Sequence, residues 1–213
     1  MVVRNKSQRI RVVLLMLKVL VACEYSGRVR DAFAKMGHFA MSCDLLPTDA
    51  PGLHYQGDIF DVIDQGWDLL IAHPPCTYLT NSGVCWLHKD PSRWALLDEG
   101  AAFFKALMEC SIPRKCIENP IQHKYARERI GRKQSQVIQP WMFGHMEQKA
   151  TCLWLEGLPL LQPTNNVKDE MMQLPKRERE SDCITFPRLP TDGNCEAQHT
   201  KALPMQWPLN GGH

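Results

Sequence analysis

None of the nine cysteines is spaced as C-x-x-C, and their scatter at 23, 43, 76, 85, 110, 116, 152, 183 and 195 follows no disulfide framework. That excludes a zinc ribbon and points to reduced thiols in a cytoplasmic compartment. Cys183, Cys195 and His199 also lack a familiar ligand spacing, so no metal site is expected. Charge of one sign is missing too. The 25 Lys and Arg against 23 Asp and Glu leave a net +2, too little to indicate a partner from the whole-chain balance. No apolar run is long enough to cross a bilayer. The run VVLLMLKVLVAC is interrupted by Lys18, has no small-residue cleavage site, and meets the polar turn Glu24-Tyr25-Ser26-Gly27 at once. It reads as a buried strand rather than a leader or a membrane anchor. There is no internal repeat. The clustered carboxylates of a nuclease and the lysine nucleophile of a glycosylase are absent as well.

What is present suits a folded domain. A chain of 213 residues with 44% hydrophobic residues can bury one sizeable core. Residues 1–15 are expected to be an N-terminal extension, 16–160 the main folded domain, and 161–213 a polar, proline-rich and irregular tail. Within 16–160, strand-like and helix-like segments alternate. KVLVAC (18–23) is short, apolar and β-branched, as a strand buried on both faces should be. RVRDAFAKMG (28–37) has apolar residues at helical spacing and a glycine stop. Further strands are expected in HFAMSCDLLP ending near Asp44, weakly near Gly57 to Ile59, in WDLLIAHPPC, in KCIENP (115–120) and in KATCLWL through Leu155. Asp90-Pro91 opens a helix, with Pro91 suited to its first position. The pattern predicts an α/β fold of Rossmann-like type: a mostly parallel sheet with helices on both faces.

The chemistry-bearing residues fall where such strands end, which is where open α/β sheets bind ligands. The turn carrying Glu24, Ser26 and Gly27 could bring backbone amides and a helix N-terminus toward a ligand carboxylate. Asp44 ends the second strand about twenty residues later, a place where an acidic residue either holds ribose hydroxyls or merely forms a turn. Asp58 and Ile59 could meet the edge and face of an adenine. In IAHPPCTYLTNSG, Pro74 and Pro75 stop a strand and stiffen the turn that holds Cys76, which is either a nucleophile or a packed small hydrophobe. IENP places Glu118, Asn119 and Pro120 at the end of another strand, and a thiol beside a carboxyl suggests a nucleophile paired with an acid. From His123 to Lys133 the chain carries Lys124, Arg127, Arg129, Arg132 and Lys133 against one glutamate, either a solvated helix face or a phosphate-contacting patch.

The ordered series EYSG, Asp44, GDI, PPCTYLTNSG and IENP resembles the motifs of DNA cytosine-5 methyltransferases, closest to the short phage- and prophage-borne members. The likeness runs from Lys18 to Leu160, and Pro-Pro-Cys and Glu-Asn-Pro are its most specific parts. It implies a methyltransferase domain that binds S-adenosyl-L-methionine through Glu24, Ser26, Gly27, Asp44, Asp58 and Ile59, with Pro74 and Pro75 shaping the floor between cofactor and base. Cys76 would add to cytosine carbon 6 while Glu118, next to Asn119, bonds ring nitrogen 3. In a duplex the base would first leave the stack. The chain departs from the family in reading Pro-Cys-Thr for Pro-Cys-Gln. The family's arginine-bearing element has only Gln148 and Lys149 as nearest matches, and there is no room for a large target-recognition region. DNA is the implied substrate, with sequence specificity low or supplied by a protein partner or a homo-oligomer. Two rival readings are cytosine modification at the free nucleotide and a non-catalytic binder that keeps the fold.

Overall fold

The structure, a computed structural model, describes residues 16–180. The proposed extension 1–15 and the positions Cys183, Cys195 and His199 lie outside the described residues. Seven strands form one sheet: β1 Lys18–Ala22, β2 Phe39–Asp44, β3 His54–Gln56, β4 Leu69–Ala72, β5 Lys115–Pro120, β6 Gln136–Ile138 and β7 Thr151–Glu156. Their order across the sheet is β3-β2-β1-β4-β5-β7-β6. β1 through β5 are mutually parallel, and β7 enters antiparallel between β5 and β6. This is the mostly parallel, Rossmann-like α/β architecture expected from the pattern.

Strand burial explains the sequence. Val19 to Ala22 are fully buried, and their side chains alternate between two cores as the pleat requires. Leu20, Ala22, Leu70 and Ile117 face one core, where they meet Leu97, Phe104 and Leu107 of α3 (Arg93–Glu109) and Ala126 and Ile130 of α4 (Lys124–Ile130). Val19, Val21, Leu69, Ile71 and Cys116 face the other, against Phe33 of α1 (Arg28–Lys35). Both faces are thus covered, which is why these strands read as continuous apolar runs.

Several local expectations shift. Cys23 is not strand: its backbone turns left-handed at φ 57°, unusual for a non-glycine residue, and ends β1 one residue early. The weak third strand is His54–Gln56 rather than Gly57 to Ile59, and Ile59 starts a single 3-10 turn (Ile59–Asp61) capped by Asp58. The helix α2 (Asn81–Leu87) and the strand β6 have no counterpart in the sequence reading. The described part of the supposedly irregular tail carries α5 (Lys168–Gln173) and α6 (Lys176–Arg179), with Leu161 and Met171 buried.

The chain adds β2 and β3 on one side of β1, then crosses to build β4 and β5 on the other. The crevice at the carboxyl ends of β1 and β4 is therefore the topological switch point. Both the turn after β1 and the Pro-Pro-Cys segment after β4 open there.

Candidate active site

The β1 turn is organised by Glu24, which is 5% exposed. Its Oε1 accepts from Val29 N at 2.6 Å and its Oε2 from Arg30 N at 3.2 Å, while Ser26 Oγ donates to Oε1 at 3.3 Å. The carboxylate thus satisfies the first amides of α1, the place where a negative charge is most favourable. This corrects the expectation that those amides would receive a ligand carboxylate: Glu24 already holds them. Gly27 sits at φ 70°, and a Cβ there would run into the guanidinium of Arg30.

Arg30, 1% exposed, was not foreseen as important. It donates to Ser42 Oγ (3.2 Å), Thr48 Oγ1 (3.3 Å), Ala50 O (3.2 Å) and Pro51 O (3.0 Å), and pairs with Asp31 at 2.7 Å. One buried cation therefore fixes the loop that follows Asp44. Asp44 Oδ1 accepts from Leu46 N at 2.9 Å, the turn-forming role that was its plainer alternative. Asp44 also lines a cavity of about 160 Å³ together with Cys23, Cys43, Gly57, Asp58, Ile59 and Phe103. Three of the residues singled out for a nucleoside, Asp44, Asp58 and Ile59, are thereby brought together. Glu24, Ser26 and Gly27 stand on the turn that follows Cys23, one of the cavity's walls.

The second half of the site comes from β4 and β5. Their parallel register pairs Leu70 with Lys115, Ile71 with Cys116 and Ala72 with Ile117. Side-chain contacts carry it beyond the strands. His73 Nδ1 meets Glu118 Oε2 at 3.2 Å, and Asn119 Nδ2 donates to Pro74 O at 3.0 Å. Pro-Pro-Cys and Glu-Asn-Pro, 45 residues apart by these contacts, consequently lie side by side. Pro74 is buried and Pro75 exposed, with Cys76 half-buried after them. The Cys76 carbonyl accepts from Leu79 N (3.0 Å) and Thr80 N (3.2 Å), which closes the turn.

That turn is tied down from the β5 side as well. Thr80 bridges Gln122, and His123 N donates to Leu79 O at 3.0 Å. His123 Nδ1 accepts from Ala126 N at 3.1 Å, which leaves Nε2 as the protonated nitrogen donating to Tyr78 O at 2.9 Å. Burial holds the His123 pKa down, consistent with this neutral ring.

Glu118 is 6% exposed and Asn119 1%. For His73, burial pushes the pKa down, but the hydrogen bond and charge of Glu118, with the charge of Glu24, outweigh it and raise the pKa above its ordinary value. Buried polar atoms without a hydrogen-bond partner among the described residues gather on this segment: His73 Nε2, Asn119 Oδ1, and both Gln122 Nε2 and Oε1. Atoms of this kind are ordinarily paired with ordered water or another polar group. His73 and Gln122 were missed in the sequence. The strand register, which sequence spacing does not reveal, is what puts His73 in the site.

The basic stretch divides. Arg129 pairs with Asp98 and lies over the Trp94 ring at 5.3 Å, and Arg132 bonds Glu156 at 3.1 Å and Leu155 O at 3.3 Å. Both serve the fold. Lys124, Arg127 and Lys133 are exposed, Lys124 with a loose pair to Glu128 at 4.0 Å. At the end of α2, the half-exposed Trp86 ring lies under Lys89 Nζ at 4.7 Å, a cation and an aromatic face that the sequence reading passed over.

No protein-family model matches the chain, and no curated protein does. Among solved structures, the co-crystal structure of WbdD and the kinase inhibitor LY294002 is similar at a TM-score of 0.38 and 12% identity, over 65% of this chain. The chain spans 36% of the length of that protein.

Proposed function

We propose that this chain transfers a methyl group from S-adenosylmethionine to carbon 5 of cytosine in DNA through a covalent bond between Cys76 Sγ and carbon 6 of the base. The observation that carries the reading is the register of β4 and β5. It sets the thiol-bearing turn beside a buried carboxyl and ties the two with the Asn119 to Pro74 hydrogen bond.

The residues present fit the cofactor. Asp44 and Asp58 offer carboxylates to ribose and adenine edges, and Ile59 with Phe103 offers apolar walls in the same cavity. The buried Glu24 carboxylate complements the ammonium of a methionine portion rather than its carboxylate. When bound, the cofactor supplies an electrophilic sulfonium methyl. The protein's own residues do the rest. Cys76 as thiolate adds to carbon 6, and ring electrons move toward nitrogen 3, where Glu118 stabilises them. Pro74, Pro75 and the Asn119 tie hold the turn in one geometry, which lowers the entropic cost of attack. Loss of the carbon-5 proton to solvent and expulsion of the thiolate complete the cycle.

The test is a covalent trap. Protein, S-adenosylmethionine and DNA carrying 5-fluorocytosine are mixed and analysed by denaturing mass spectrometry. Fluorine cannot leave as the proton does, so an adduct absent from Cys76→Ala is expected. No adduct despite demonstrated binding of both ligands would sink the reading. One observation favours a free cytosine nucleotide as substrate: Arg129 and Arg132 are occupied within the fold, which shrinks the cationic surface available to a polyanion. A fluorinated mononucleotide in the same trap separates the two.

A further inference from the structure

His73 stands at the seam of the proposed site and has no place in the mechanism above. Its backbone N–H donates to Ala22 O at 3.0 Å, which fastens the end of β4 to the end of β1. Pro74 follows and restricts the His73 backbone to extended conformations. The ring is therefore aimed by the chain itself. Nδ1 meets Glu118 Oε2 at 3.2 Å, with the two side chains 13% and 7% exposed. Nε2 is buried and unpartnered among the described residues. The charged groups acting on the ring are Glu118 from β5 and Glu24 from the β1 turn, both acidic.

We propose that His73 is a positioning residue for Glu118: its ring orients the carboxyl and shares one proton with it, so that the pair presents an acid to ring nitrogen 3 of the base. This rests on the cytosine-5 reading. The step balances as follows. A sulfur electron pair of the Cys76 thiolate forms the bond to carbon 6, the ring electrons move to nitrogen 3, and nitrogen 3 takes the pair's acidic proton from the Glu118 oxygen that does not face His73. Nδ1–H stays bonded to Oε2, so the pair is left as neutral imidazole hydrogen-bonded to carboxylate. Those ring electrons then form the bond from carbon 5 to the methyl group that the cofactor would supply, and nitrogen 3 gives its proton back to the carboxylate. The carbon-5 proton leaves to solvent, its bonding electrons restore the ring double bond, and the sulfur–carbon bond returns its electrons to the thiolate. The hydrogen bond between His73 Nδ1 and Glu118 Oε2 makes the ring a proton reserve for the carboxyl, which a carboxyl without such a neighbour lacks. Both neighbours of the ring being acidic favours that protonated pair.

Thiolate formation makes the rate rise with pH, and loss of the shared proton makes it fall, so the falling arm belongs to the pair. The experiment follows trap-adduct formation and turnover on DNA from about pH 5.5 to 9, for the wild type, His73→Asn and His73→Leu. Folding of each variant is checked by thermal melting. Asparagine keeps a donor nitrogen toward Glu118 but cannot hold the proton. The wild type is expected to show its falling arm in the histidine range. In His73→Asn that arm should move toward the carboxylate range, with kcat down about tenfold or more near neutrality and KM for DNA little changed. His73→Leu should lose more. A His73→Asn protein that keeps the wild-type falling arm, or a folded His73→Leu protein with wild-type turnover, overturns the inference and leaves the cytosine-5 reading standing. No adduct in the wild type at any pH overturns both. Should the variants fail to fold, ring-nitrogen NMR on the wild type decides: an imidazole that stays neutral throughout that range overturns the inference, and one that titrates within it sustains it.

Discussion

Asn119 donates its side-chain amide to the carbonyl of Pro74 at 3.0 Å, with both residues buried. This bond holds the last residue before the Pro75-Cys76 step against the middle of Glu-Asn-Pro. Replacing Asn119 by Ala leaves that buried carbonyl unpaired, a loss of roughly 1–3 kcal/mol. Replacing it by Asp sets a carboxylate against the same carbonyl and should cost more. Urea denaturation of both variants, alongside trap yield, measures the effect. Equal midpoints for wild type and Asn119→Asp would show that the bond does not stabilise the fold.

Glu118→Gln keeps the shape of the side chain and removes its acid function. If Glu118 supports charge at nitrogen 3, turnover should drop by roughly 10²–10⁴ while S-adenosylmethionine binding by calorimetry stays near wild type. Retained turnover would remove Glu118 from the chemistry.

The same pair makes stability depend on pH. The His73 pKa is raised in the folded state, so its contribution is complete below the unfolded value of about 6.5 and fades as pH rises through the folded one. Melting temperatures should accordingly fall across that window in the wild type. In Glu118→Gln the partner charge is gone and burial lowers the histidine pKa, so this fall should flatten or reverse. Parallel curves for the two proteins would contradict the pairing.

Arg30→Met should be the most damaging single change near the cavity lined by Asp44 and Asp58. It strips partners from Ser42, Thr48, Ala50 and Pro51 at once, and a loss of about 3 kcal/mol or more is expected. The loop after Asp44 should become sensitive to protease as well. A variant with wild-type melting and protease resistance would show that the loop is held by other means.

The basic stretch gives a divided expectation. If the chain acts on DNA as proposed, changing Lys124, Arg127 and Lys133 to Gln should reduce the salt dependence of binding, by up to about 0.9 in log–log slope for each lost phosphate contact. Changing Arg129 or Arg132 should lower stability and leave that slope unaltered, because their partners are Asp98 and Glu156. The reverse pattern would place the DNA surface elsewhere.

How much of this was legible in the sequence depended on how local each cause was. KCIENP was read as a strand with its observed bounds, Lys115–Pro120, because its apolar run and closing proline are contiguous. The first two strands were found for similar reasons, apart from the left-handed Cys23. The three-residue β6, with Val137 40% exposed, carries too little pattern to be seen and exists through its pairing with β7. The helix α2 is written NSGVCWL, with asparagine and glycine that argue against helix. In the candidate site, Asp44, Asp58, Ile59, Cys76 and Glu118 could be singled out from the sequence because each lies near the end of an expected strand. His73, Gln122 and Arg30 did not, since their roles come from partners in distant segments or from burial that spacing does not encode.

The contacts of His73 with Glu118, Asn119 with Pro74 and His123 with Tyr78 each join residues 45 positions apart. During synthesis the turn bearing Cys76 therefore leaves the ribosome well before the segment that clasps it. At roughly 5–20 residues per second the delay is several seconds, through which the thiol waits on an unfinished sheet. The site is born whole only once the Glu-Asn-Pro strand has emerged and zipped beside β4.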